Sequence, residues 1–123
     1  VNLPRPYVAA LVEALLGHGF EVPAGWMDPS GPRDATILYR RPGQPLQAVV
    51  WDEESGARTG IFVAGRQGER TRLGNPSHLG GGLLPAPMET AKRLVLGVRE
   101  PQVKYRSHAD FRDGADDRIR IFN

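Results

Sequence analysis

The chain has no cysteine among its 123 residues, which excludes disulfides, thiolate metal sites, iron–sulfur clusters and cysteine nucleophiles. Lysine is nearly missing as well. Of 16 basic residues only Lys92 and Lys104 are not arginine, a bias that speaks of base composition rather than of function. No apolar run approaches the roughly 18 residues of a spanning helix, and no leader of charged, apolar and small residues opens the chain. A soluble, cytoplasmic protein without membrane contact is expected.

What is present bounds the fold. A mass of 13.5 kDa suits one compact domain, large enough to bury a core without a covalent staple. The 15 Gly and 11 Pro make about a fifth of the chain, which suggests short elements joined by firm turns. Net charge is only +2, a weak field for a polyanion despite a pI near 9.4. It is unevenly spread: residues 1–65 hold 5 basic and 7 acidic side chains, residues 66–123 hold 11 and 7. Any polyanion site belongs in the second half, although a solvated surface explains the same distribution.

Val8, Leu11, Val12, Leu15 and Leu16 form one stripe of an amphipathic helix that starts near Pro4 and Pro6 and stops at Gly17-His18-Gly19. Pro23 to Asp34, with Trp26 and Met27, reads as a structured loop. Strands are expected over Ala35–Arg41, Leu46–Asp52 and Arg58–Gly65, with a short polar edge strand over Glu69–Leu73. A glycine-rich loop, Gly74–Pro85, leads to a second helix from Pro87 to about Val98, with Met88, Ala91, Leu94, Val95 and Val98 as its apolar stripe. The order predicts an α+β two-layer sandwich, an antiparallel sheet of three to five strands with both helices on one face. Residues 1–101 form the domain. Residues 102–123 form a tail with strand-like segments at Val103–Arg106 and Arg118–Phe122, expected to add to the sheet or to a partner.

Chemistry is sparse. His18, His78 and His108 show no metal-ligand spacing, and no Gly-x-Ser-x-Gly elbow or phosphate-binding glycine motif occurs. His18 between glycines suits a helix cap. His78 adjoins Ser77, but neighbours in sequence seldom face each other productively. The Asp110, Asp113, Asp116, Asp117 cluster breaks calcium-loop spacing and lacks a terminal Glu. Glu53 and Glu54 are adjacent, a poor acid/base pair. No metal and no cofactor is expected.

Three site hypotheses remain. A ligand or anion site would use His78, Gly80, Gly81 and Gly82 before the second helix, with Trp26 and Trp51. A nucleic-acid face would use Arg66, Arg70, Arg72, Lys92, Arg93, Lys104, Arg106, Arg118 and Arg120. The helix–strands–helix order is that of double-stranded RNA-binding domains, but the turn that should carry lysines is apolar here. The third is a protein-binding surface.

Trp51-Asp52-Glu53 at a strand end, with Gly82-Leu83-Leu84-Pro85-Ala86-Pro87 opening the last helix, resembles a small actinobacterial family of unknown function over Tyr7 to Val98. The resemblance implies an accessory or regulatory role and supplies no catalytic residues. The leading expectation is therefore a non-enzymatic binding module acting on a protein partner or on a second copy as a homodimer. The alternatives are a nucleic-acid-binding protein, and a small enzyme or ligand-binding domain with a pocket near Trp26, Trp51 and the 74–85 loop.

Overall fold

The structure, a computed structural model, describes residues 5–28, 33–66 and 69–97. The tail, and with it Lys104, Arg106, His108, the aspartate cluster, Arg118 and Arg120, lies outside the described residues. The element order is α1 (Arg5–Gly17), β1 (Glu21–Asp28), β2 (Asp34–Arg40), β3 (Gln47–Asp52), β4 (Gly56–Ala64), β5 (Arg72–His78) and α2 (Pro87–Leu96). The strands pair as an antiparallel meander in the order β1-β2-β3-β4-β5. The class is α+β, as the residue pattern predicts. No helix among the described residues is long and apolar enough to cross a membrane.

Register decides which side chains share a face, because directly opposed residues point the same way. Ile37↔Val49↔Thr59 and Ala35↔Trp51↔Ala57 lie on one face. There Ile37, Tyr39, Val49, Trp51 and Ala57 join Tyr7, Leu11, Ala14 and Leu15 of α1 in one buried cluster, which α2 reaches through Ala91. Trp51 and Tyr7 are fixed by polar contacts as well as by packing. The Trp51 indole Nε1 donates to the Leu83 carbonyl at 2.8 Å, and the Tyr7 hydroxyl donates to the Pro85 carbonyl. The loop before α2 is thereby tied both to the sheet and to α1.

The other face is closed by the sheet itself. Thr36, Leu38, Ala48 and Val50 are all buried there. In a flat sheet β1 and β4 would stand roughly 14 Å apart, three strand spacings. Yet the Trp26 and Phe62 ring centroids are 6.2 Å apart, and the short hydroxyls of Thr36 and Thr71 meet at 2.6 Å. Two threonine side chains can touch only if the backbones carrying them approach, so the sheet coils until the β4–β5 end folds back over β2. Register shifts in the β4–β5 pair supply the bend.

Two boundaries differ from expectation. Pro23 to Asp28 belongs to β1 and not to a loop. Because β1 is an edge, Pro23 forfeits no ladder bond that another strand needs, and a register shift between Glu21 and Ala24 absorbs it. The last strand runs from Arg72 to His78 rather than ending at Leu73, so Gly74 to His78 leave the expected loop. On the helices, Leu16, Met88 and Val95 were expected in the buried stripes, yet they are 54%, 59% and 46% exposed. Ala91 packs in the core and Leu94 packs against it, as expected, and Thr90 is buried as well.

Candidate functional site

On α1, Arg5, Val8, Ala9 and Val12 stand at i, i+3, i+4 and i+7, a stripe beside the one that enters the core. This second stripe faces β1 across an open cleft of about 600 Å³. Val22, Gly25 and Met27 form the opposite wall, Ala24 and Trp26 touch it from positions whose side chains point to the other sheet face, and the buried Ile37 lies at the floor. Gly25 keeps the cleft open. Its register partner is Ile37, and a Cβ placed on it would lie 3.3 Å from the Thr36 carbonyl oxygen and 4.0 Å from the Ile37 side chain. The position is a notch one side chain deep. Among the described residues of the lining Arg5 is the charged one.

The cleft adjoins a strand edge, and the two edges of the sheet differ. β5 is blocked as a template: Pro76 lacks a donor, Asn75 takes a positive φ of 51°, and two register shifts break the ladder. β1 carries its proline and its shift before Ala24. From Ala24 to Asp28 the pairing with β2 is regular, and among the described residues no strand pairs with the other side of this stretch. A cleft lined mostly by apolar side chains, beside an edge to which no described strand pairs, is the geometry that takes an added strand.

The residues singled out from sequence do not gather into one site. Trp26 pairs with Thr36 and Trp51 with Ala35, so the two indoles lie on opposite sheet faces. Trp51 is 1% exposed and cannot line an open pocket. Gly80, Gly81 and Gly82 all adopt positive φ, and a Cβ on Gly81 would meet Pro85 Cβ at 2.9 Å. They form a tight turn that delivers Leu83 to the core, and Glu89 already supplies a negative charge in the first turn of α2.

His78 is no loop residue. It ends β5 opposite Arg58 and is 9% exposed, because Leu79 behind it is drawn fully under by a backbone bond to Ala57. Burial first, and then the neighbouring Arg58, hold its imidazolium below the ordinary histidine range, with Asp52 pulling the other way. Ser77 pairs with Thr59 and His78 with Arg58, which places Ser77 and His78 on opposite faces and dissolves any nucleophile–base pair. His18 caps α1 as expected, its Nδ1 3.0 Å from the Ala14 carbonyl oxygen.

The basic residues also separate. Arg66 pairs with Glu69, and Arg93 donates to the Leu79 carbonyl at 2.7 Å, pinning the turn beneath it. Arg70, Arg72 and Lys92 are exposed. Glu53 is buried and accepts from Nε and Nη2 of Arg33, each at 2.9 Å, a structural clamp. No group of three or more potential metal ligands occurs among the described residues.

The cleft itself was not singled out from sequence. Its one legible trace is Val8 and Val12, flanking the core positions of α1. Comparison with protein families, curated proteins and solved structures finds no match to the chain. The cleft is therefore read from its own chemistry.

Proposed function

We propose that the chain is a binding module that holds an extended segment of a partner protein between α1 and the free edge of β1. The observation that carries this reading is the asymmetry of the sheet: β5 is blocked, whereas Ala24–Asp28 is a regular edge with an apolar cleft beside it. Main-chain pairing would supply affinity, and the cleft would select side chains on one face of the added strand. A cleft of about 600 Å³ also suits a small apolar ligand. The adjoining strand edge favours a peptide, since a small molecule has no use for a row of backbone donors and acceptors.

Ala9 is exposed and on the rim, so Ala9→Phe fills the cleft without disturbing the core. Short random peptides displayed and selected on the full chain are expected to bind, as read by fluorescence anisotropy of the labelled peptide, and to lose about tenfold or more in affinity on Ala9→Phe. Peptides that bind Ala9→Phe as tightly as the parent chain would place the binding surface elsewhere and overturn the reading.

A further inference from the structure

The chemistry of the segment can be taken further, resting on the reading just given. We infer that the cleft selects a strand bearing a bulky apolar side chain over Gly25 and a carboxylate two residues away, facing Arg5.

The apolar position follows from the notch. Gly25 offers no side chain, Ile37 lies beneath it, and Val8 and Val12 stand across from it. A strand added to β1 places a residue directly opposite Gly25, and its side chain points to the same face as Gly25, toward α1. That side chain would enter a space walled by apolar groups.

The charged position follows from direction. α1 and β1 are joined by only three residues, His18 to Phe20, so they run back past one another. Val12 is thus the wall residue nearest Val22, and Arg5 lies toward Trp26 and Met27. Residues opposite Gly25 and Met27 are two apart and share a face, which sets the spacing between apolar and acidic side chains.

Charge complementarity selects the acid. Arg33, Arg40, Arg58, Arg66 and Arg93 each face a carboxylate within 4 Å. Arg41 lies over the Phe20 ring. Arg5, Arg70 and Arg72 have neither kind of partner among the described residues, but of these three Arg5 is the one that lines the cleft, and it stands in a helical first turn that contains no acidic residue. The helix dipole opposes a cation there, so nothing within the described fold accounts for its placement. An acidic side chain arriving with the bound strand does.

The test compares peptide pools selected from one random display library on the parent chain, on Arg5→Glu and on Gly25→Val. Gly25→Ala is the milder substitute should valine press too hard on the Thr36 carbonyl. Circular dichroism melts confirm that each variant folds. The parent pool is expected to carry Asp or Glu two residues from a large apolar residue. The Arg5→Glu pool should replace that acid with Lys or Arg, and the Gly25 variant should shrink the apolar residue. Pools that depend on the cleft, as shown by loss on Ala9→Phe, but keep the same charge preference on Arg5→Glu would overturn this inference and leave the binding function standing. Pools that ignore Ala9→Phe would overturn both. Self-association through β1, seen as a dimer by light scattering that Ala9→Phe dissolves, would replace the acidic segment with a second copy.

Discussion

His78 sits at the end of β5 with little access to water and Arg58 across the strand pair. A ring held there in its neutral form makes stability depend on pH, and the sign is fixed. The folded chain takes up this proton less readily than the unfolded chain, whose histidine titrates near its ordinary value of about 6.5. Above that value the ring is neutral in both states and the full stability is present. As pH falls below it, the unfolded state binds the extra proton first and the fold loses stability down through the lowered folded value. Urea midpoints are expected to drop between about pH 7.5 and about pH 5.5, a window in which ordinary carboxylates stay ionised. The drop should be smaller in His78→Asn. An equal drop in both proteins would trace the dependence to another group.

Among the elements, the short loop from Leu79 to Ala86 packs more than its glycines suggest. Leu79 is fully buried and Leu83 4% exposed, whereas Leu84 only packs against the core from outside. Leu83→Ala should cost about 2–5 kcal/mol, the range for emptying a buried leucine site. Leu84→Ala should cost distinctly less, and denaturant melts on the two variants give the order directly. Sequence pattern marks this stretch as a glycine-rich loop and does not say which leucine enters the core, because that depends on Trp51 holding the Leu83 carbonyl from 32 residues away. The same division runs through the fold. The stripe of Val8, Leu11 and Leu15 and the β-rich runs around Ile37 and Val49 declare their elements, since each periodicity is local. β1 was hidden by Pro23 and Gly25, which punctuate loops everywhere except on an edge strand. The cleft was hidden more deeply. It exists through what Gly25 and Ala9 lack, and a void between two elements leaves no periodic trace. The coil of the sheet rests on Thr36 meeting Thr71, a contact 35 residues apart that no pattern announces.

For the whole molecule, the charges bear on which partner class survives. With Arg66 paired at the surface and Arg93 turned into the Leu79–Pro85 turn, the second-half candidates left exposed and without an ion pair among the described residues are Arg70, Arg72 and Lys92. The net charge of the whole chain is only +2, a weak field for a polyanion. Duplex RNA or DNA binding is accordingly expected to be weak and to vanish by physiological salt, as read by fluorescence anisotropy across a salt series. Submicromolar, salt-tolerant binding that is lost in Arg70→Ala plus Arg72→Ala would instead promote a nucleic-acid role over the peptide cleft.

The meander has a consequence in time as well as in space. Each strand pairs with the next one along the chain, so the sheet assembles by closing short loops, which is fast. The bond from Tyr7 to Pro85 closes a separation of 78 residues, the longest among the side-chain hydrogen bonds described above, and belongs late in the folding reaction. A contact absent from the transition state acts on the escape rate alone. Tyr7→Phe should therefore speed unfolding by the full extent of its destabilisation and leave the refolding limb of a stopped-flow chevron unmoved. Slowed refolding would mean that α1 docks early and that the strands gather beneath it.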